Sequence, residues 1–258
     1  MIFPDRVMYL TTHGLTANFH NTAAVVVTSE EIAAVVDSLS HYSVHSCLRE
    51  FRQGYFMLKG GMRVGISGGY SSDGIITQVT GLNFRISRNV TGCADELYKL
   101  IGGGGILICG GVNSGKTTIL RDLCRLTGNR RKVTLIDERG EMAFARNGEI
   151  TNDVGALTDV LTGCTRSDGI TAAVRTLSPD YIFCDEISTP EDSRAILESV
   201  GCGVKFCATI HGEDYSGLME RRIFRELVDS GAFSDLVILE GAGAPGKVRE
   251  IRRLRDDA

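Results

Sequence analysis

Residues Gly110 to Thr117 read GGVNSGKT and satisfy the spacing G-x-x-x-x-G-K-[ST] in full. An apolar run, GILIC, precedes them and a helix-forming run opens at Thr117, the strand, loop and helix context this pattern requires. In such a loop, Gly110, Gly111, Val112, Asn113, Ser114 and Gly115 offer backbone N–H groups to phosphate oxygens at the positive end of a helix. Lys116 would reach the β and γ phosphates of ATP, Thr117 would help hold Mg²⁺, and Thr118 completes the nucleotide-contacting set.

Two apolar segments then end in adjacent carboxylates: VTLIDE at Asp137 and Glu138, and YIFCDE at Asp185 and Glu186. In ring-forming P-loop ATPases of the RecA-like type, an extra strand separates the phosphate-loop strand from the magnesium-side strand, which selects the second pair. Asp185 would then bind Mg²⁺ through water, and Glu186 would orient and polarise the water for in-line attack. Asp137 and Glu138 either join the nucleotide site or organise it through Arg139. The strand ending Thr209, Ile210, His211 would bring His211 beside Asp185 and Glu186 as a γ-phosphate sensor. The expected catalytic set is therefore Lys116, Glu186 and His211. A ring ATPase also needs a positive charge at the transferred phosphate, and Arg85, Arg88, Arg166 and Arg175 are the candidates. His41 and His45 stand at i, i+4 with no third ligand nearby, and Cys202 and Cys207 would need ligands from elsewhere, so neither pair makes a metal site.

These residues need a scaffold. From Gly105 onward the pattern runs strand, glycine loop, helix, strand (KVTLID), polar helical region, strand (YIFCDEI), helix near Glu191 to Val200, strand (VKFCATIH), helix around Leu218 to Leu227, and strand (DLVILEG). Alternating strands and helices predict a mainly parallel sheet covered on both faces, with function at the carboxyl ends of its strands. Before residue 100 the texture differs. Thr28 and Glu31 form a capping-box pattern ahead of Ile32, Val35, Val36 and Leu39, and a second helix takes Val44, Leu48 and Phe51. YFMLKGGMRVGIS reads as a hairpin turning at Gly60 and Gly61, and Ile75 to Val79 and Phe84 to Ile86 as short strands. The expected organisation is α/β overall: a small α+β N-terminal domain over 1–90, a linker or hinge over 91–104, and a RecA-like P-loop ATPase domain over 105–258.

Composition narrows the function classes. The 258 residues carry 28 basic and 32 acidic side chains, a formal charge of −4, with 43% apolar and 23% charged residues, as in a soluble globular protein. That balance, the absence of Trp and the lack of a basic aromatic platform weigh against a nucleic-acid partner, although Arg249, Arg252, Arg253 and Arg255 give the C-terminus a local basic edge. No stretch has the length of a spanning helix, and the start has neither basic head nor long apolar run, so a cytoplasmic location is expected. The eight cysteines, several inside runs such as ILIC and YIFC, read as small core hydrophobes.

FRQGYFMLKGGMRVGISG, NFRISR, GKTTILRD, IDERGE, NDVGALTDVLTGC and RTLSPDYIFCDEISTPED together resemble the stage III sporulation protein AA family of endospore-forming bacteria, related to the type II and type IV secretion ATPases. The resemblance runs from about Phe3 to near the C-terminus. It implies a cytoplasmic ATPase of the mother cell, forming a hexameric ring at the forespore-facing membrane with the membrane proteins of the stage III complex and the channel between the two cells. Residue by residue, it implies nucleotide and Mg²⁺ binding by Lys116 and Thr117, catalysis by Glu186 and a histidine box at His211. The family usually carries further sequence before FPDRVMYL, and Leu157 stands where it tends to have arginine. Hydrolysis would move the small domain against the sheet domain. The other two readings are a nucleotide-dependent scaffold without turnover and a RecA-like nucleic-acid motor.

Overall fold

The computed structural model describes residues 7–11, 27–43, 47–58, 62–85, 90–100, 104–144 and 150–254. The chain divides into two units, Met1–Arg88 and Asn89–Ala258.

The first unit is a four-stranded antiparallel sheet in the order β1-β4-β3-β2, built from β1 (Val7–Thr11), β2 (Tyr55–Met57), β3 (Arg63–Tyr70) and β4 (Ile76–Arg85). Two helices, α1 (Ser29–Leu39) and α2 (Leu48–Gln53), cover it. The capping box that opens α1 is present, with the Glu31 N–H donating to Thr28 Oγ1 and the Thr28 N–H to Glu31 Oε2. Ile32 and Val36 on α1 share a core with Phe51, Phe56, Val64, Ile76 and Leu82. The segments expected as separate strands, Ile75 to Val79 and Phe84 to Ile86, fall on one strand as far as Arg85, since β3 pairs with β4 from Ile76 to Arg85 while β1 joins it over Gly81 to Arg85; Ile86 lies outside the described residues. β1 has no period strong enough to announce it. Val44, His45, Gly60 and Gly61 lie outside the described residues, as does Arg88.

The second unit holds a seven-stranded sheet in the order β11-β10-β5-β9-β8-β6-β7. Its strands are β5 (Ile106–Gly110), β6 (Val133–Asp137), β7 (Thr158–Thr162), β8 (Tyr181–Cys184), β9 (Lys205–His211), β10 (Asp235–Leu239) and β11 (Val248–Arg253). Every neighbouring pair is parallel except β10 and β11. Buried on both faces, β5, β6, β8 and β10 are nearly continuous apolar runs, interrupted by Thr134 and by the terminal Asp137 and Asp235, as parallel strands tend to be. Alternation still sorts them. Leu107, Cys109, Ile182 and Cys184 face a core shared with Ile196 of α6 (Pro190–Val200) and with Phe224 and Leu227 of α8 (Arg222–Asp229). Ile106, Ile108, Leu135 and Phe183 face the opposite core, with Ile119, Leu120 and Leu123 of α4 (Lys116–Gly128).

Several details differ from the pattern read in the sequence. The polar region after β6 is a turn followed by β7, then α5 (Arg166–Ala172) and one π-helical turn, Ala173–Leu177. As an edge strand with only one neighbour, β7 has half-buried and exposed positions and lacks the apolar run that marks its inner neighbours. The basic VREIRR segment is the opposite edge, β11. The helix around Leu218 is two, α7 (Tyr215–Met219) and α8. The stretch 91–104, where the sequence also suggests a short helix before the glycine run, carries α3 (Asp95–Leu100), whose Leu97 is buried with Ala94 in the α4 core, and the Ala94 N–H donates to Asp122 on α4.

Cysteines behave as core residues. Cys47, Cys109, Cys124, Cys184 and Cys207 are buried and Cys202 is exposed, and burial pushes the Cys184 thiol up to about 12 and that of Cys109 to about 11. In the folded protein at pH 8 an aromatic disulfide reagent should therefore modify Cys202 first, with the buried thiols reacting only on unfolding. Modification of Cys184 or Cys109 at the rate of Cys202 would contradict this packing.

At the C-terminal end of α4, Gly128 passes close to the segment leading into β7. A Cβ there would stand 2.1 Å from Thr158 Oγ1 and 2.7 Å from the Val154 carbonyl oxygen, while the Gly128 carbonyl accepts the Leu157 N–H at 2.7 Å. Helix propensity alone would make Gly128→Ala stabilising by about 1 kcal/mol. The backbone conflict outweighs it, and urea unfolding should show Gly128→Ala destabilised by roughly 1–3 kcal/mol.

Candidate functional site

Four of the parallel strands end at one edge of the sheet, and the phosphate-loop pattern fills it. β5 ends at Gly110, the loop winds through Asn113 at φ 59° and Gly115 at φ 91°, and α4 starts at Lys116. These left-handed residues curl the chain so that successive N–H groups can converge on an anion. At Gly115 a side chain would also meet the backbone of Gly246 at 2.7 Å, in the turn between β10 and β11, whose N–H donates to the Ser114 carbonyl. Ser114 closes the loop internally, its hydroxyl donating to the Gly111 carbonyl at 2.8 Å. Val112 and Asn113 form its exposed tip. Lys116 Nζ donates to the carbonyls of Gly110 and Gly111 at 2.8 and 2.7 Å, so the ammonium already stands inside the loop. Thr118 follows within the first turn of α4, half-buried.

β9 lies between β5 and β8, so one strand separates the phosphate loop from Asp185 and Glu186. Asp185 nevertheless reaches the loop. Its Oδ2 accepts the Thr117 hydroxyl at 2.8 Å and its Oδ1 accepts the Thr209 hydroxyl at 2.6 Å. The Thr209 oxygen in turn accepts the Glu186 N–H at 2.7 Å. This buried threonine, on the intervening strand, holds both acids, and it is the site residue for which the sequence reading assigned no role. Glu186 takes φ 43°, a left-handed conformation rare outside glycine and common where a functional side chain must be aimed. Arg139 Nη1 stands 3.9 Å from Glu186 Oε2.

His211, at the end of β9, places Nδ1 3.3 Å from the Gly110 carbonyl, so Nδ1 carries the proton in that contact. The histidine is thus linked to the base of the phosphate loop, and the Gly212 N–H donates to the same carbonyl.

The earlier acid pair divides. Asp137 is buried, and its two oxygens accept the N–H groups of Glu141, Met142 and Ala143. Burial raises its carboxyl above the usual range while those three donors oppose the rise. Both oxygens are engaged in building the turn. Glu138 pairs with Arg166 at 2.8 Å. Arg166, only 11% exposed, is also held by Asp192 and Ser188. Arg175 lies on the π-helical turn before β8, at the amino end of the strands and away from the phosphate loop. Arg85 ends β4 and Arg88 falls outside the described residues.

The donor set fits the group the loop implies. Thr117 and Asp185 offer oxygen ligands already within a hydrogen bond of each other, and among the described residues no cluster of three or more His, Cys, Asp or Glu could hold a softer metal. Few protein oxygens completed by phosphate and water are what Mg²⁺ takes.

A family model described as sporulation stage III, protein AA, matches residues 4–257. The chain is 33% identical over 237 residues to the stage III sporulation protein AA of Bacillus subtilis (strain 168), covering 87% of this chain and 77% of that one. It also resembles solved structures of the Legionella pneumophila ATPase DotB (TM-score 0.64, 15% identity, 90% of this chain and 71% of that one) and of the pilus retraction motor PilT with bound ADP (TM-score 0.63, 16% identity, 91% and 74%). At these identities the likeness concerns the fold, an α/β domain with a large, mainly parallel sheet of the RecA-like ATPase kind. No helix of the described residues is long and apolar enough to cross a membrane.

Thr209→Val keeps the shape of the side chain and deletes the hydroxyl that serves Asp185 and Glu186 together. It leaves the Glu186 N–H without its acceptor, so chemical unfolding should show a loss of roughly 1–3 kcal/mol. Thr209→Ser, which retains the oxygen, should recover most of it. Equal stability of the valine and serine variants would contradict a bridging role.

Proposed function

The chain belongs to the sporulation stage III, protein AA family, and from that premise we propose that it is a Mg²⁺-dependent ATPase of the secretion-ATPase type, working in endospore formation. The observation that carries this reading is the hydrogen bond from Thr117 to Asp185, 2.8 Å long, which joins the phosphate loop to the magnesium-side strand across an intervening strand.

Each side chain then has a part. The loop N–H groups from Gly111 to Gly115 and the Lys116 ammonium would bind the β and γ phosphates. Thr117 directly, and Asp185 through water, would hold Mg²⁺, which when bound neutralises charge on the phosphate oxygens. Glu186 would accept a proton from the attacking water as it closes on the γ phosphorus, in line with the departing ADP oxygen. Its backbone, pinned by Thr209, sets where that carboxylate stands. His211, bonded to the Gly110 carbonyl, is placed to register the phosphate state of the loop and pass it to α7.

With its family, the protein is proposed to act as a hexameric ring on the mother-cell side of the forespore-facing membrane, with the membrane proteins of the stage III complex as partners. Conversion of phosphate state into movement of the N-terminal unit would be its output.

Mg²⁺-dependent ATP hydrolysis by the purified chain, measured over a wide range of protein concentration, tests the proposal. Turnover per chain should rise steeply with concentration as subunits assemble, and Glu186→Gln should lower it by roughly 10²- to 10⁴-fold while nucleotide binding persists. A low, concentration-independent signal identical in wild type and Glu186→Gln would sink the hydrolase.

A further inference from the structure

The turn between β6 and β7 is tethered far more heavily than a connection requires. Asp137 receives three backbone N–H groups, Arg166 pairs with Glu138 at 2.8 Å, Asn152 Nδ2 donates to the Met142 carbonyl, and Arg121 Nη2 donates to the Glu141 carbonyl. Arg121 also lies 4.6 Å over the Phe144 ring. What this construction presents to the phosphate end of the sheet is Arg139. Its side chain is 63% exposed and its guanidinium stands 3.9 Å from Glu186, on the wall of a small cavity shared with Glu138, Arg166 and Asp185.

Four carboxylates at this end, Asp137, Glu138, Asp185 and Glu186, are answered by three kinds of partner. Asp137 is met by backbone N–H groups, Glu138 by Arg166, and Asp185 by the hydroxyls of Thr117 and Thr209. Glu186 is met by Arg139, through the loosest and most exposed contact of the four. A catalytic carboxylate beside a nucleoside triphosphate repels its terminal phosphate, and the repulsion grows where nearby charge is not offset.

We propose that Arg139 is a positioning residue for Glu186, holding its carboxylate in place for water and offsetting its charge against the terminal phosphate of the bound nucleotide. This rests on the nucleotide-binding part of the function proposed above. Because the contact is partly exposed, the offset is moderate and releasable, as a group next to a moving phosphate needs. A lysine could supply the charge but not the same planar contact.

A double-mutant cycle on binding isolates the effect without requiring turnover. Equilibrium affinities for a non-hydrolysable Mg-ATP analogue and for Mg-ADP would be measured by calorimetry for wild type, Arg139→Ala, Glu186→Gln and the double variant. Arg139→Ala should weaken the triphosphate roughly fivefold, the upper scale of a partly screened pair, and Mg-ADP by less than about twofold. In the Glu186→Gln background it should weaken neither, and Arg139→Lys should restore most of the triphosphate affinity. Melting temperatures should coincide, since Arg139 is exposed. Weakening of both nucleotides in both backgrounds would make Arg139 a direct phosphate contact or a structural residue, and no weakening at all would leave the pair idle; either result overturns the proposal. Coupling in a wild type that does not hydrolyse ATP would sink the hydrolase reading alone, and hydrolysis without coupling would sink this one alone.

Discussion

Asp185 is the point on which the second unit's chemistry depends. Its two oxygens take hydroxyl protons from Thr117 on α4 and Thr209 on β9, so one carboxylate fastens three elements that are far apart in the chain. Hydrogen bonds to a charged acceptor are among the stronger ones available at a partly buried position. The sheet order demands such a link. With β9 inserted between β5 and β8, the loop and its metal-side acid are not adjacent strands, and only side chains long enough to cross β9, or a relay standing on it, can join them. The direct bond from Thr117 to Asp185 makes the link, and Thr209, standing on β9, steadies Asp185 and the Glu186 N–H from the other side. The same arrangement explains the left-handed backbone of Glu186: its N–H must turn back to Thr209 while its carboxylate faces the open edge.

A second constraint acts around β6. Two strands end in an acidic pair, yet their surroundings give them opposite duties. Asp185 keeps one oxygen in a half-buried, hydroxyl-lined position where a hard cation can replace a hydrogen bond. Asp137 sits buried under three N–H donors, where exchanging any of them for a cation would strand backbone groups at a cost of about 1–3 kcal/mol each. Identical residue types at equivalent strand ends are given different partners by what the following turn does with its N–H groups. After β6 the chain folds back on its own aspartate, whereas after β8 it passes to Ser188 and the capped start of α6.

Much of this was legible in the sequence because its signals are local. GGVNSGKT encodes a loop whose glycines, lysine and threonine act within eight residues, and the nearly continuous apolar runs of β5, β6, β8 and β10 announce buried parallel strands. The features that escaped are those fixed by distant partners. β7 and β11 are edges, half-exposed and polar, and nothing in TDVLT or VREIRR distinguishes an edge strand from a solvated loop. Thr209 reads as one more small residue in CATIH, and its importance arises only from lying opposite Asp185. Leu157 stands just before β7, at the amino end of the parallel strands and opposite the phosphate loop.

The same geometry separates two of the arginines that the sequence offered as a positive charge at the transferred phosphate. Arg166 is occupied within its own chain: only 11% exposed, it joins Glu138 on the β6 turn to Asp192 and Ser188 at the start of α6. Withdrawing it would leave Glu138 and the buried Asp192 without their charged partner, although Asp192 would keep the N–H groups of Ser188 and Thr189. A side chain so placed stiffens the site and does not travel. Arg175 is the opposite case, exposed on a π-helical turn at the amino end of β8. It stands at the opposite end of the strands from the phosphate loop of its own sheet.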